Sequence, residues 1–431
     1  MKVSIKITFL TGLLLASSQF ACSDKCTETR TFRRFNSVQL TVGQVRKNIG
    51  SEASRALKSP GKIYAKDNFI FINEVKEGVH IFDNSNTASP KEIAFLRIPG
   101  NADIAIKGDI MYADSYMDVV AFNIKNPAAV KEVGRVNNVF NYGLVDGMSW
   151  SVDTTRGIIY DTQAEIVTQK ISTDCDDFSA GTPVFWNRGG VVVNDAAFSS
   201  GKSAQASPGA NTGTGGSMAR FALYDDYLYT VTQSGLQLFS LKKPELPSKK
   251  GDINLGWGIE TIFPYKDKLF IGSTTGMFIF DNANPAKPVQ MSAFTHARAC
   301  DPVVVDDKYA YVTLRNNNSW CGGANNQLDV IDISNLYSPQ LLKTYPMTSP
   351  YGLGLEGKTL FICEGKSGLK TFDATDVKAI KQTQHLKGVN AIDVIPLTNT
   401  LLAIGRDGLY QYDYSNRNQL KLLSVIPVKT N

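Results

Sequence analysis

From about residue 62 onward the chain is written in short apolar runs separated by small polar turns. Residues 259–264 and 268–271 are two such runs, joined by the charged pair Lys266-Asp267; residues 277–280 and 290–294 follow after further turns. Runs this short, rich in Ile, Val, Phe and Tyr and bounded by Asn, Asp, Gly and Pro, predict β-strands. No stretch between them keeps a helical period over ten residues. The third run of each set ends in one phrase, an apolar residue followed by Asp or a substitute. It stands at Ile81-Phe82-Asp83, Ala121-Phe122-Asn123, Leu238-Phe239-Ser240, Ile279-Phe280-Asp281, Val330-Ile331-Asp332, Thr371-Phe372-Asp373 and Gln411-Tyr412-Asp413.

The spacing of the phrase predicts the architecture. Phe82 to Phe122 is 40 residues, Phe239 to Phe280 is 41, Phe280 to Ile331 is 51, Ile331 to Phe372 is 41 and Phe372 to Tyr412 is 40. A period held this closely means one structural unit repeated. The Asp is placed to bond backbone amides of the following turn. Pro90, Pro247, Pro288 and Pro339 stand seven residues beyond it, where an outer edge-like strand can begin without an N–H. Four antiparallel strands in forty residues make a propeller blade, so the chain is expected to be an all-β propeller of about seven blades, with six or eight left open. A helical solenoid lacks its periodicity here, a β-helix needs shorter coils, and separate sandwich domains need about twice the length per unit.

Units such as residues 328–335, Leu-Asp-Val-Ile-Asp-Ile-Ser-Asn, and residues 276–285, Gly-Met-Phe-Ile-Phe-Asp-Asn-Ala-Asn-Pro, resemble the LVIVD-repeat family of bacterial cell-surface lipoproteins. The resemblance covers residues 62–141 and 218–427. It implies a propeller at the cell surface and brings no catalytic residue with it.

The ends and one interruption stand outside the repeat. Lys2 and Lys6 precede an apolar stretch, residues 7–16, too short to span a bilayer, and Ala21-Cys22 follows. This reads as an export signal of the lipoprotein type, residues 1–21, with Cys22 as the acylated first residue of the mature chain; Gln19 departs from the aliphatic residue usual at that place. Cleavage removes two lysines and lowers the net charge from +5 to +3, too mild for a nucleic-acid binder. Residues 22–61 are expected as a linker, with a strand at residues 35–42. Phe122 to Phe239 spans 117 residues, which places an insertion at about 142–217 or hides a degenerate blade. Within it, Trp150 to Val152 and residues 157–171 flank the turn at residues 153–156 as a hairpin. Residues 199–217, rich in Gly, Ser and Ala, read as flexible linker, Gly213-Thr214-Gly215-Gly216-Ser217 included.

If each blade runs from the axis outward, the connection between blades and the one between its second and third strands open on the same face. That face is expected to carry Trp257, Glu260, His296, Arg298, Asp301, Trp320, Tyr351 and Asp393, with Tyr116 beside them. Cys300 and Cys321 fall there too, where a disulfide would staple the longest loop, a reduced pair being the alternative. Cys363 is expected to be a buried thiol, and Cys175 has no assignment. Glu260, Asp301 and Asp393 align near the start of the innermost strand, where three carboxylates would suit calcium; bonding to backbone amides at strand ends is the weightier reading. His80, His296 and His385 are too scattered for a zinc site, and no catalytic set or other cofactor site emerges. The expected function is a non-catalytic envelope platform that binds a protein or glycan and is held to the outer membrane or cell surface by its lipid. The alternatives are a hydrolase or lyase at the channel mouth, through His296, Arg298 and the acidic residues, and a purely structural spacer.

Overall fold

The computed structural model describes residues 25–145, 148–174, 212–296, 302–316, 325–417 and 419–429. They divide into two compact units. The first, from residues 1–38 and 162–193, contains most of strands Lys25–Leu40 and Gly157–Asp174. These are neighbours in one sheet, with Arg34 and Asn36 both bonding Glu165 and Thr31 meeting Thr168. Residues 25–34, expected as linker, are therefore strand: their Thr, Arg and Phe residues have the β-branched and aromatic bias of one, and a second strand supplies the ladder partners a linker lacks.

The second unit, residues 39–161 and 194–431, carries the repeat. Eight sheets form among the described residues. Seven contain the repeated phrase: blade 1 (60–97), blade 2 (104–136), blade 3 (221–254), blade 4 (259–295), blade 5 (303–346), blade 6 (353–386) and blade 7 (391–427). Each is an antiparallel meander whose strands follow chain order; the first strands of neighbouring blades adjoin from blade 1 through to blade 7, and the first strand of blade 1 meets the second strand of blade 7, so the ring is closed. The eighth sheet, ordered Lys25–Leu40, Gly157–Asp174, Met148–Asp153, Tyr142–Val145, comes from the N-terminal strand and the insertion. Its hairpin pairs Ser151 with Ile159 and Asp153 with Gly157, as the sequence predicts.

The repeat is chemical as well as geometric. In all seven blades the Asp, Asn or Ser of the phrase accepts a hydrogen bond from the backbone N–H two residues on, at 2.9 Å for Asp83, Asp332, Asp373 and Asp413 and 3.5 Å for Ser240. Two ladder rows later every third–fourth strand pair slips by one residue, a β-bulge repeated seven times. Pro90, Pro247, Pro288 and Pro339 stand immediately before the outer strands. Blades are fastened by hydroxyls reaching into the next blade's third–fourth connection. Tyr112 donates to Pro244 O, Tyr229 to Pro285 O, Ser292 to Leu336 O, Tyr345 to Val377 O and Ser424 to Thr87 O.

No blade mixes strands from both chain ends, so closure rests on packing and a few bonds. Ile395, Leu402, Ile404 and Leu409 of blade 7 pack with Leu57, Ile63, Ile70 and Ile72. Gln411 donates to Asn84 Oδ1 at 2.8 Å and Lys429 N to Leu57 O at 2.9 Å. A further clasp runs along the axis. Thr214–Gly215 adds to the inner strand of blade 1 opposite Ala65 and Tyr64, and Gly213 N donates to Ile106 O of blade 2. Two residues later Ser217 Oγ accepts from Leu353 N of blade 6 at 2.6 Å and meets Asp393 Oδ1 of blade 7 at 3.3 Å. Residues 212–217, expected as flexible linker, thus run inside the ring. Glycine makes this feasible: a Cβ on Gly213 would lie 2.3 Å from Tyr64 Cε1.

The strap before blade 1 is held by a buried triad. His80, fully buried, donates from one ring nitrogen to Glu92 (2.7 Å) and contacts Glu74 with the other (2.9 Å). Glu74 accepts from Lys58 N and Ser59 N, and Glu92 from Arg55 N. Burial opposes the charged forms, but the two carboxylates raise the His80 pKa above 6.5, while His80 and the amides hold Glu74 below 4.5. The imidazolium's contribution is present below its unfolded pKa and lost as pH rises through the raised folded value. That of Glu74 is present above its unfolded pKa and lost as pH falls through the lowered one. His80→Ala is expected to cost about 3–5 kcal/mol by urea denaturation, because Glu74 stays buried without its counter-charge. The deficit should be widest between pH 4.5 and 6.5 and shrink on the alkaline side; a deficit independent of pH would contradict an imidazolium in the triad.

Candidate functional site

The inter-blade connections and the second–third strand connections emerge together around one end of the ring. Two aromatic residues there are placed by glycines. Trp257 caps the connection from blade 3 to blade 4 between Gly256 (φ +93°) and Gly258 (φ +87°) and is 57% exposed. The arch is pinned by Leu255 N to Ser234 O, Gly258 N to Gln233 O and Thr274 N to Gly258 O. Tyr351 leads into blade 6. Its N–H donates to Cys363 O (2.7 Å), its carbonyl accepts from Thr313 Oγ1 of blade 5 (2.8 Å), and its ring lies against Gly365, where a Cβ would be 2.7 Å from Cε2.

On the ring of Tyr351 sits the guanidinium of Arg315, 4.1 Å from the centroid. The ladder registers make Arg315, Gly365 and Arg406 equivalent positions in blades 5, 6 and 7, each two residues beyond the partner of the residue at −3 from the phrase. Tyr351 therefore occupies room that the glycine leaves between two arginines. Arg315 is 3% exposed, and its Nε and Nη2 have no hydrogen-bond partner among the described residues. Burial lowers its pKa, Arg406 lowers it further, and Tyr351 and Glu260 act the other way. Sequence reading missed Arg315. The signal was there: a lone cation directly after an apolar strand, Tyr309–Leu314, at a position where the other blades carry Val75, Tyr116, Gln233, Thr274, Gly365 and Arg406.

The acidic trio does not survive the register. Pairing places Ile392, not Asp393, at the position of Glu260: each is the extra residue of its inner strand, between Ala391 and Asp393 in blade 7 and between Ile259 and Thr261 in blade 4. Asp393 sits one step deeper, buried and engaged with Ser217, level with Lys62, Asp103 and Arg220 of blades 1, 2 and 3. Lys62 Nζ lies 3.5 Å from Asp103, which accepts from Arg220 N and Phe221 N. Among the described residues no group of three His, Cys, Asp or Glu side chains converges as a metal would need, and Glu260 and Asp393 stand at different levels. Tyr116 is not displayed either: it is buried under the hairpin, edge-on to Trp150 at 5.5 Å, because the insertion folds back over this end of blade 2. His296 follows the outer strand of blade 4, its N–H on Thr275 O. Cys363 is buried, and burial with Asp393 and Glu364 nearby raises its thiol pKa, which makes it inert. Cys22, Cys175, Arg298, Cys300, Asp301, Trp320 and Cys321 lie outside the described residues.

Residues 297–347 match the model of the LVIVD repeat. The chain carries an LVIVD repeat. The matched stretch is blade 5 with the connection before it, and so includes Arg315 and the phrase at Asp332. No curated protein matches the chain in sequence. A protein from Lactobacillus plantarum is similar in structure at TM-score 0.52 and 11% identity, over 86% of this chain and 96% of that one. The periplasmic gluconolactonase PpgL of Pseudomonas aeruginosa is similar at TM-score 0.51 and 10% identity, over 86% and 96%. BamB from Moraxella catarrhalis gives TM-score 0.44 at 8% identity, over 84% and 98%. These likenesses are of fold: the chain is a propeller built on the repeat.

A buried cation with its fork unsatisfied costs stability. Arg315→Met is therefore expected to leave the protein as stable as wild type or to stabilise it by about 1–4 kcal/mol in urea denaturation. A loss of that size instead would mean that the Arg315 fork is satisfied. Gly365→Ala, with φ +55° and Tyr351 in the way, should destabilise by about 1–3 kcal/mol.

Proposed function

We propose that this chain is a non-catalytic binding protein of the bacterial envelope, exported and held by a lipid on Cys22 to the outer membrane or cell surface. Its propeller presents the end with Trp257, Tyr351 and Arg315 to a protein or glycan ligand. The observation that carries the reading is the filled axis. Residues 212–217 lie inside the ring and bond to blades 1, 2, 6 and 7, which leaves the loop-bearing end as the place for recognition. There an exposed Trp stands on a rigid glycine arch, the kind of pre-placed aromatic that anchors ligands at low entropic cost. The lipid anchor rests on the apolar leader and Ala21-Cys22.

Enzyme chemistry at the mouth is the second reading, favoured by the fold likeness to a gluconolactonase. It would draw on His296, and it loses support because Asp393, one of its acids, is buried on Ser217.

Crosslinking pull-down of the full-length lipidated protein from its native envelope tests the platform. Trp257→Ala and Tyr351→Ala are expected to remove the recovered partner or glycan. Recovery unchanged in both variants would contradict the placement of the binding face.

A further inference from the structure

We propose that Lys62 and Asp103 join in an amide bond that fixes blade 1 to blade 2, with Asp114 carrying the proton. The lysine stands on the inner strand of blade 1, and the aspartate directly precedes the inner strand of blade 2. Lys62 Nζ lies 3.5 Å from Asp103 Oδ2, and each side chain is only 4% exposed. The pairs Lys107–Asp226, Lys266–Asp307 and Lys358–Asp306 differ, since each keeps at least one partner more than half exposed. There water screens the charges and the pair stays ionic. Inside the ring both charged forms are penalised. Passing one proton from ammonium to carboxylate leaves an amine facing a carboxylic acid, the two reactants of amide formation.

The carboxyl of Asp103 is held as an electrophile. Its Oδ2 accepts from Arg220 N and from Phe221 N (3.0 Å), and its Oδ1 from Ile104 N (2.8 Å). The two amides on Oδ2 sit where negative charge develops as an amine adds to Cγ. Asp114 is fixed beside this group, its Oδ1 accepting from Ala102 N (2.8 Å), Asp103 N (3.0 Å) and Asn101 Nδ2 (2.8 Å). Burial raises the Asp114 pKa to about 6, the two backbone bonds acting against it; Asp103 adds to the rise and Lys62 opposes it. A carboxyl of that strength gives and takes protons near neutral pH. In the reaction Lys62 Nζ adds to Asp103 Cγ, the Nζ–Cγ bond forms and the Cγ–Oδ1 bond breaks. Of the three ammonium protons, two pass by way of Asp114 to Oδ1 and leave with it as water, and one stays on the amide. No oxidant, reductant or other reactant is consumed. The link lies beside the bond from Gly213 N to Ile106 O, so the seam between blades 1 and 2 opens only if a covalent bond breaks.

The test is tryptic mapping, by mass spectrometry, of the full-length chain taken from its envelope and unfolded in denaturant. An unlinked chain releases residues 59–62, 63–66 and 98–107 as separate peptides. The linked chain resists cleavage after Lys62 and is expected to yield 59–66 joined to 98–107, lighter than their sum by one water, about 18 Da. Lys62→Arg, which keeps the charge without the amine, is expected to give no branched peptide. Asp114→Asn keeps an oxygen for the three donors but cannot carry the proton, and is expected to give the branched peptide about tenfold less or lower. Circular dichroism checks that both variants are folded. Free 63–66 and 98–107 from the wild-type chain, with no branched species, overturn the bond. A branched peptide undiminished in Asp114→Asn overturns the part given to Asp114.

Discussion

The structure depends on how a ring of separately folded sheets is kept shut. Every blade is a contiguous meander, so no strand from one chain end completes a blade begun at the other. The seam between blades 7 and 1 has its apolar cluster and the Gln411–Asn84 bond. Residues 212–217 supplement it from inside by adding to blade 1 and reaching Leu353 and Asp393 across the axis. This clasp is formed by contacts 136 and 176 residues apart in sequence, the kind of pairing that carries a large closure entropy and forms late. The same segment fills the axis, and so sets where a ligand can be met.

Around that constraint the repeat separates scaffold from display. The side-chain cap of each phrase, the bulge beside it and the hydroxyl that reaches the next blade are all spent on geometry and recur blade after blade. The connections at the mouth are free to differ, and they do. A glycine arch raises Trp257; a glycine at the arginine position of blade 6 makes room for Tyr351; Arg315 and Arg406 flank it. Arg315 goes against the economy of the fold, since a buried fork without acceptors weakens a protein that elsewhere matches arginine edges to carboxylates.

The phrase, its period and the hairpin at residues 153–156 were legible because each is a local pattern with a local cause: alternation, a capping side chain, a turn. The strands of blade 4 fall within a residue or two of the apolar runs. What was not legible depends on partners far along the chain. Residues 213–217 have the composition of a linker, and Thr214–Gly215 among them become a strand only because Tyr64 and Ala65 offer an edge. Asp393 looked equivalent to Glu260, but strand pairing sets it level with Thr261, a step deeper. Tyr116 reads as a loop aromatic, and only the fold of the insertion buries it. Arg315 was visible as a lone cation after an apolar strand, but its unsatisfied edge is a fact of three-dimensional packing.

The central claim is that the axis is closed by the chain's own segment and that recognition is confined to the mouth. Hydrogen exchange at the amides of Gly213, Thr214 and Gly215 tests it most directly. The account predicts protection comparable to the inner strands of blades 1 and 7, since Gly213 N is bonded to Ile106 O and the next two residues pair with blade 1. Exchange at the rate of an open loop would mean an unfilled axis and would move the search for the ligand into the ring.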